Sequence, residues 1–393
     1  MKEETAIPTI LVNGFFGYGP DSVLCKTPLA HQWGGFAVKD LASVMTSQGM
    51  DVREARTSPL SSNWDRACEL YTYIKGGRVD YGAIHSKTYG HDRYGRYYPG
   101  IYPEWDNDHP VNLWGHSMGA PTVRILTSLL YWGSYQEKEN SLDDCPFLFS
   151  GKGRHMVHST VTIAGVNNGT TLADFAESVV GKKNLSSLFS AIGLLTTQKP
   201  IYKAFDPSLD QWNFRMKHRK EEPKDYRKKM RESPVWTTTD LGFFDLTTHG
   251  AQKINRKYPD NPNVYYFACP AKATHKVKSG NKENPNSDTW INGLTAAVIG
   301  HYRDDKVPGG WKEDYYTNDG LVNTELEKAP FTEGSHHVET WTEETVPQKG
   351  VWYNLPVLPG EHLGVLGYYF PWNKKLDILQ TYTDLYKMID KLN

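Results

Sequence analysis

Short apolar runs that end in glycine-rich or polar turns recur along the chain and predict buried strands. Residues 8–12 form such a run before a glycine-rich turn at 13–19, and similar runs occupy 111–114, 157–163 and 264–267. Runs of four to eight residues without polar alternation are typical of strands buried on both faces, as in parallel sheets.

Helical periodicity appears in two segments. After Gly115, apolar residues spaced three and four apart predict a helix with one buried face, formed by Val123, Leu126, Leu129 and Leu130. The final 20 residues predict an amphipathic helix, whose aligned positions are Ile378, Tyr382, Leu385, Ile389 and Leu392. Strands that alternate with helices predict an α/β fold with a mostly parallel central sheet flanked by helices.

Two stretches lack a clear period, and we expect them to be irregular insertions. Residues 60–100 are rich in Tyr, Gly and His, and residues 203–240 carry clusters of Lys, Arg and Glu. Neither has the Ser- and Pro-rich boundary of a linker. We therefore expect residues 1–393 to form a single domain, although 393 residues exceeds the ~250–300 at which one core usually stops growing.

Charge and composition exclude several classes of protein. The 44 Lys and Arg residues nearly balance 45 Asp and Glu residues, so no global field would attract nucleic acid or an anionic membrane. No apolar stretch approaches the ~18 residues of a spanning helix. The first residues lack the apolar core of a signal peptide, so we expect an intracellular protein or one whose signal was removed. Four cysteines are too few for a disulfide framework.

A candidate nucleophile lies where the second apolar run meets its helix. Residues 115–119 are Gly-His-Ser-Met-Gly, a G-x-S-x-G sequence between a predicted strand and a predicted helix. In that context the glycines permit a tight turn that lifts the Ser117 hydroxyl above the sheet. The pentapeptide alone is a weak signal, and a glycine-rich turn without chemistry is the alternative.

Candidate partners of Ser117 lie downstream of it. A serine hydroxyl becomes a good nucleophile when a histidine takes its proton and an acid orients that histidine, and in chains with this motif the order is serine, acid, histidine. Asp319 precedes a glycine at a turn, and His362 lies just before the C-terminal helix, so we prefer this pair. Rivals in polar loops are Asp304, Asp305, Asp314, His336 and His337.

Two backbone amides are candidates for an oxyanion hole, which stabilises the negative oxygen formed during attack on an ester. Met118 directly follows the predicted nucleophile, and Phe15 lies in the turn after the first strand. Any glycine-rich turn could occupy the place of Phe15 without this role.

Two histidines and two carboxylates form a candidate metal group, consisting of Asp65, His85, His91 and Asp245. Two imidazole nitrogens and two carboxylate oxygens can hold a tetrahedral zinc ion with no open position. The spacing alone is a weak indication, because histidines in polar loops are usually just solvated.

Several long segments resemble the thermoalkalophilic lipases of Bacillus and Geobacillus and the related staphylococcal lipases. Residues 58–69 are similar to a signature stretch of that group, 79–91 to the segment with its two zinc histidines, and 233–246 to the segment with its second zinc aspartate. Residues 318–320 and 362–363 are similar to the regions of its catalytic acid and base. The resemblance covers most of the chain.

This resemblance implies an α/β-hydrolase fold with a zinc-holding region at 60–100 and 203–245 and a helical lid at 171–200. The implied protein is a secreted lipase that hydrolyses triacylglycerols at an oil–water interface through an acyl-enzyme. Structural zinc, held by Asp65, His85, His91 and Asp245, is the implied cofactor. A carboxylesterase for soluble short-chain esters and a non-catalytic binding protein of the same fold are the alternatives.

The lid prediction also has support in the residue pattern. Leu172, Phe175, Ala176, Val179 and Val180 give a helical apolar stripe, which continues past a glycine at Leu185, Leu188, Phe189, Ile192 and Leu195. Such a stripe could cover the serine in water and face lipid at an interface. The alternative is an ordinary pair of helices packed on the core.

The chain differs from the family pattern in three respects. The family often has His-Gly-Phe after the first strand, whereas this chain has Asn13, which keeps the backbone donor and changes the side chain. Gly115 with Met118 is more similar to staphylococcal than to Bacillus-type members. The family's calcium ligands follow the catalytic histidine at positions that are Gly364 and Tyr369 here, so calcium binding is not expected.

Overall fold

A seven-stranded sheet, in the order β11-β12-β7-β6-β5-β1-β2, forms the centre of the molecule, and every neighbouring pair in it is parallel. The computed structural model describes residues 6–26, 31–139, 145–181, 206–213, 225, 228, 232–332, 337–369 and 375–392. The strands are β1 (Thr9–Val12), β2 (Val52–Ala55), β3 (Gly77–Asp80), β4 (Tyr94–Tyr98), β5 (Val111–His116), β6 (Val157–Ile163), β7 (Tyr265–Cys269), β8 (Ala271–Lys272), β9 (Thr274–Lys276), β10 (Glu283–Pro285), β11 (His337–Thr340), β12 (Val351–Asn354) and β13 (Leu358–Pro359).

Helices pack on both faces of this sheet. They are α1 (Gly35–Val38), α2 (Leu41–Ser47), α3 (Asn63–Lys75), α4 (Ala83–Tyr89), α5 (Gly119–Trp132), α6 (Tyr135–Glu139), α7 (Phe147–Ser150), α8 (Thr171–Val180), α9 (Gly242–Leu246), α10 (Thr248–Lys257), α11 (Gly293–His301) and α12 (Ile378–Asp390). Single 3-10 turns cover Val23–Lys26, Asp210–Trp212, Pro234–Trp236, Glu313–Tyr316, Thr324–Glu327 and Gly364–Leu366. Within the described ranges, no helix is both long and apolar enough to cross a bilayer.

Alternate residues of the central strands supply two apolar clusters, one on each face. In β1, Ile10 and Val12 pack with residues of α3 and α5, whereas Leu11 packs with residues of α2 and α12. This division follows from the period of two in a strand. It confirms the predicted α/β fold with a parallel sheet covered by helices on both sides.

The central strands and the last helix lie where the sequence predicts them. Strand β6 has the predicted bounds, and β1, β5 and β7 differ from the predicted runs by one or two residues at one or both ends. Helix α5 differs in burial, because residues 119–130 are buried all round rather than on one face. The helix touches β5, β6, α3, α7 and α10, so little of its surface meets solvent.

The expectation of irregular structure at 60–100 is wrong. This stretch contains α3, β3, α4 and β4, and the two strands pair antiparallel. Several of its aromatic residues, such as Trp64, Tyr81 and Tyr98, pack into the hydrophobic core and do not lie in a surface loop. Much of 203–240 lies outside the described residues. The single-domain expectation stays a prediction.

Candidate active site and metal site

Ser117 occupies the sharp turn between β5 and α5. Its φ of 56° is left-handed, which is uncommon for a residue with a side chain and typical of a serine held above a sheet by such a turn. A Cβ at Gly115 would lie 2.4 Å from the carbonyl carbon of Gly119, and one at Gly119 would lie 2.6 Å from the carbonyl oxygen of Val12. Both glycines of the motif are therefore required by close backbone contacts.

The structure brings Asp319 and His362 together. Asp319 Oδ2 lies 2.5 Å from His362 Nδ1, and Asp319 Oδ1 accepts bonds from the amides of Leu321 and Val322 at 2.9 and 2.8 Å. Asp319 is fully buried, and His362 is 2% exposed. The carboxylate thus fixes the ring through Nδ1 and leaves Nε2 available for a serine hydroxyl.

The rival acids and histidines lie in different surroundings. Asp305 and Asp314 are exposed, and Asp304 accepts a bond from the amide of Lys306 in the same surface loop. His337 is exposed and pairs with Glu339 on its own strand. His336 lies outside the described residues.

A buried histidine joins the serine turn to the His362 loop. His116, the residue before Ser117, donates from Nε2 to the carbonyl oxygen of His362 at 3.0 Å, and the two rings lie 4.6 Å apart. Burial lowers the pKa of His116 well below its usual range, so this ring is neutral. His116 therefore links the two chain segments without adding charge beside the candidate triad.

The turn after β1 lies directly against Ser117. A Cβ at Gly14 would be 2.7 Å from Ser117 Cβ, so the backbone of the turn approaches the nucleophile closely. Within the described structure, the amides of Phe15 and Met118 donate to no protein acceptor. Their side chains belong to one apolar cluster, which brings the two predicted oxyanion residues together.

Side chains around this turn hold it in place. Asn13 Oδ1 accepts bonds from the amide and the hydroxyl of Thr57, both at 3.0 Å. The fully buried Arg66 donates to the carbonyl oxygens of Asn13 and Ser58, and to the Thr122 hydroxyl at 2.9 Å. Asn13 therefore has a structural role in shaping the turn.

Asp65, His85, His91 and Asp240 form a candidate metal site. His85 Nε2 lies 3.2 Å from Asp65 Oδ1 and 3.3 Å from Asp240 Oδ2, and His91 Nε2 lies 4.0 and 3.3 Å from the same two oxygens. A tetrahedral ion with ligands at ~2.0–2.2 Å would space them roughly 3.3–3.6 Å apart. All four atoms are buried and lack a hydrogen-bond partner, so the donor set fits a metal ion.

The surroundings of the candidate metal site orient its ligands. The Nδ1 atom of His91 donates to the carbonyl oxygen of Asp92 at 2.9 Å, so Nε2 is the ring nitrogen directed at the site. Gln211 donates to Asp65 Oδ2 at 2.6 Å, and the Trp64 ring stacks on His85 at 5.0 Å. These contacts fix the ligand side chains before any ion binds.

The prediction of Asp245 as the fourth metal ligand is wrong. Asp245 Oδ2 accepts bonds from the amide and side chain of Asn63 at 2.6 and 3.0 Å, away from the two histidines. Asp240 takes its place because Leu241 pairs with Ser61, which sets the chain just before α9 beside the start of α3. Burial raises the pKa of Asp245 to about 7. The dipeptide Asp-Leu occurs at both 240 and 245, so the sequence did not separate them.

A second group of ligand types, His31, Asp40 and Glu54, has a different geometry. His31 Nε2 faces Asp40 at 3.5 Å and Nδ1 faces Glu54 at 3.4 Å. The ring thus bridges two carboxylates instead of directing one nitrogen at a shared ion.

Helix α8 forms the described half of the predicted lid. Thr170 caps its first turn by accepting from the amide of Leu172, and Val179 at its other end is 65% exposed. Phe175 contacts Tyr302 with ring centres 5.2 Å apart. Residues 182–200, which carry the rest of the predicted stripe, lie outside the described residues.

The loop after His362 borders a small cavity that Gly364 and Tyr369 help to line. On the wall of this cavity, Lys375 pairs with Asp288 at 2.6 Å. Both carboxylate oxygens of Glu361 accept bonds from the amides of residues 290–292. The nearby carboxylates therefore already have protein partners.

Comparison with known proteins places this site in a family. A family model described as "Lipase-like, C-terminal domain" matches residues 5–391. Lipase 1 of Staphylococcus aureus (strain MRSA252) is 36% identical over 355 residues, which cover 89% of this chain and 49% of that protein. The chain belongs to the staphylococcal-type bacterial lipase family. This confirms the resemblance to staphylococcal lipases that the sequence indicated.

Solved structures agree with this family over nearly the whole chain. Staphylococcus hyicus lipase has a TM-score of 0.85 at 31% identity, with 100% of this chain and 98% of that chain covered. EstA from Clostridium botulinum has a TM-score of 0.83 at 33% identity, with 98% and 87% covered. This lipase-family chain spans about half the length of the curated relatives it matches.

Sequence reasoning missed several residues around these sites, namely Asp240, Gln211, Arg66 and His116. Asp240 shares its Asp-Leu signal with Asp245, and a search for both copies would have found it. Gln211 and Arg66 carry no local signal, because their partners lie far away along the chain. His116 was visible as the second residue of the serine motif.

Proposed function

We propose that this protein is a lipase that hydrolyses the ester bonds of triacylglycerols. The observation that carries the proposal is the left-handed Ser117 turn, tied through His116 to the loop of the buried Asp319–His362 pair. Membership of a lipase family agrees with it. These residues have the types and the chain order that ester hydrolysis by an activated serine requires.

In the first half of the proposed reaction, Ser117 Oγ attacks the ester carbonyl carbon while its proton passes to His362 Nε2. The amides of Phe15 and Met118 stabilise the oxygen that becomes negative. Asp319 holds the ring through Nδ1 and stabilises the imidazolium. His362 then gives the proton to the departing alcohol, and an acyl-enzyme on Ser117 remains.

In the second half, His362 takes a proton from water, and the hydroxide attacks the acyl carbonyl. The same two amides stabilise the second tetrahedral intermediate. When this intermediate collapses, the proton on His362 returns to Ser117 Oγ and the carboxylic acid leaves. The cycle needs no metal ion at the serine, and the candidate metal site contributes no ligand to it.

The alternative is a carboxylesterase that uses the same triad on dissolved short-chain esters. The deciding experiment follows hydrolysis of a short-chain triglyceride from below to above its solubility. A lipase gains activity per enzyme when droplets form, whereas a carboxylesterase saturates before that point. A fluorophosphonate probe that fails to label Ser117 would instead indicate a non-catalytic binding protein.

We propose that residues 171–200 form a lid over Ser117. The exposed Val179 and the partly buried Phe175 lie on the described helix. They support the proposal of an apolar helix face that covers Ser117 in water and contacts lipid at an interface. A cross-link between α8 and α11 should abolish the rise in activity per enzyme that follows droplet formation. Slow hydrolysis of dissolved ester should remain. Equal behaviour of cross-linked and free enzyme would show a core-packed helix instead.

We propose that zinc occupies the candidate metal site and has a structural role. Asp65, His85, His91 and Asp240 would hold the ion, and four protein ligands leave no position for a catalytic water. The ion would cross-link the start of α3 to the segment before α9, and binding only the folded state would add stability. Elemental analysis should give about one zinc per chain, and His85→Ala and His91→Ala should lower both the metal content and the melting temperature.

We propose, from the family resemblance, that the protein is secreted and meets its substrate at an oil–water interface. Fractionation of the producing culture tests this. Hydrolase activity and protein should appear together in the medium, and retention of both in washed cells would contradict secretion.

A further inference from the structure

Glu327 is a fully buried carboxyl that the proposed reaction does not use. It ends the 3-10 turn Thr324–Glu327, eight residues after Asp319. Its Oε2 accepts a bond from the amide of Ala271 at 2.5 Å. Its side chain interacts with the side chain of Asp319, and this interaction raises the pKa of Glu327.

The second oxygen of Glu327 has no donor. Oε1 is buried and unpaired among the described residues. Two carboxylates in contact are both acceptors, so neither can satisfy the other unless one carries a proton. A proton on Oε1 turns this contact into an O–H···O bond, and it removes the repulsion between two buried negative charges.

The groups around Glu327 offer no other source of compensation. The titratable groups that act on Asp319 are His362, which bonds it, and Glu361 on the same loop as His362. The neutral His116 faces the ring of His362. Within the described chain, no Lys or Arg contributes to the electrostatic environment of Glu327. Burial first, and then the charge of Asp319, raise the pKa of Glu327 well above its usual range.

We propose that Glu327 is a positioning residue that keeps its proton at neutral pH and donates a hydrogen bond to the carboxylate of Asp319. The proposal rests on the proposed function, in which Asp319 orients His362. Asp319 then receives bonds from the amides of Leu321 and Val322, from His362 and from Glu327. The fourth bond fixes the carboxylate that aligns the ring, without adding a second negative charge beside it.

Glu327→Gln tests the proton directly. Glutamine has the shape of a protonated glutamate, so its carbonyl can accept from Ala271 and its NH₂ can donate to Asp319. We expect kcat/KM within about threefold of the unmodified enzyme, and an unchanged midpoint on the acid side of the pH profile. If Glu327 were ionised, its replacement would remove a negative charge near His362 and move that midpoint down by roughly one pH unit. Such a shift would overturn the proposal.

Glu327→Leu tests the positioning role. It removes the bond to Asp319, so kcat should fall roughly 10- to 100-fold, the factor for one hydrogen bond to a charged group, while KM for a dissolved ester stays within about threefold. Unchanged kcat would contradict the role. Glu325→Gln is the matched control, since Glu325 lies on the same 3-10 turn, is partly exposed and pairs with Lys328, and it should leave both constants unchanged.

Infrared difference spectra between the unmodified protein and Glu327→Gln give a readout that needs no activity. A protonated carboxyl has its own carbonyl band, which should be present in the unmodified protein at pH 7 and lost in the variant. Absence of this band would overturn the proposal even if Glu327→Leu fails to fold. Failure of the proposed function would show differently, as an unmodified protein that keeps the band but neither reacts with fluorophosphonate nor hydrolyses ester.

Discussion

Backbone groups satisfy the buried charged side chains near the active site. The carboxylate of Asp319 accepts from two amides, and that of Glu361 accepts from three. The guanidinium of Arg66 donates to two carbonyl oxygens. Backbone dipoles are fixed by the fold, so these charges are oriented before substrate arrives. The cost is that Glu361 and Arg66 depend on the exact path of segments far away along the chain.

Ser117→Ala should lower kcat by roughly a thousandfold or more, because the hydroxyl is the proposed nucleophile and the remaining groups give only residual catalysis. The melting temperature should stay close to that of the unmodified protein, since the hydroxyl lies at a turn and not in the core. Hydrolysis of a dissolved ester and a thermal melt measure the two effects. More than a few per cent of the original kcat would mean that another residue is the nucleophile.

Asp240→Asn and Asp245→Asn should differ sharply in metal content. Asp240 Oδ2 lies 3.3 Å from both imidazole nitrogens, so its loss removes a metal ligand and lowers the melting temperature. Asp245 faces Asn63, and an amide can still accept from that residue. Elemental analysis of both purified variants checks this. If the Asp245→Asn variant lost the metal while the Asp240→Asn variant kept it, Asp245 and not Asp240 would be the fourth ligand.

At the scale of elements, short helices were the hardest part to predict from the sequence. Helix α4 has seven residues and no side-chain cap of its own. The carboxylate of Glu137, from α6, accepts from the amides of Ile84 and His85 at 3.1 and 2.8 Å and completes its first turn. No local pattern encodes such a cap, so the stretch 60–100 gave an expectation of irregular structure.

Asp174 joins α8 to α10 and should make that junction sensitive to pH. Its Oδ1 accepts from the amide of Thr248 at 3.1 Å, and burial raises its pKa to about 7. The unfolded value is ~3.9, so the folded state binds the proton more tightly. The stability that Asp174 contributes is fully present below the unfolded pKa and is lost as pH rises through the folded pKa of about 7.

Asp174→Asn should therefore raise the melting temperature relative to the unmodified protein more at pH 8 than at pH 5. The difference should be about 2–4 °C, the effect of roughly 2–3 kcal/mol in a chain of 393 residues. Thermal melts at both values measure it. The exposed carboxyl of α12 provides the control, since Asp384→Asn should give the same small change at either pH. A gain for Asp174→Asn confined to pH 5 would contradict the sign.

At the scale of the molecule, four of the seven sheet strands were predicted from continuous apolar runs, and these are β1, β5, β6 and β7. The edge strands gave weaker signals. Strand β2 contains Arg53 and Glu54, and β11 is exposed along its whole length. The open side of an edge strand lets solvent reach Arg53 and the residues of β11, whereas the buried Glu54 pairs with His31. The serine turn and the Asp319–His362 contact followed from motif and order, whereas Asp240 and Glu327 required the tertiary structure.

Calcium should leave the stability of the whole molecule unchanged. Lys375 already pairs with Asp288 beside the His362 loop, and neutral carbonyls alone bind a divalent ion weakly. We expect the same melting temperature with millimolar calcium and with a calcium-selective chelator. Lys375→Ala, which removes the ammonium group, is the comparison variant. A rise of several degrees with calcium in the unmodified protein, and an ion beside the His362 loop, would contradict the expectation.

The first turn of α3 joins two sites that share no ligand. Asp65 belongs to the candidate metal site, and its neighbour Arg66 holds the carbonyl oxygen of Asn13, two residues before Phe15. Anything that shifts this turn acts on both, and thermodynamic coupling between two binding events is reciprocal. An inhibitor whose oxygen fills the oxyanion hole should therefore raise the affinity of the candidate metal site for its ion, measured at equilibrium against a chelator. By the same coupling, removal of the metal should lower the affinity of the protein for the inhibitor. The availability of the metal would then affect binding at the candidate active site.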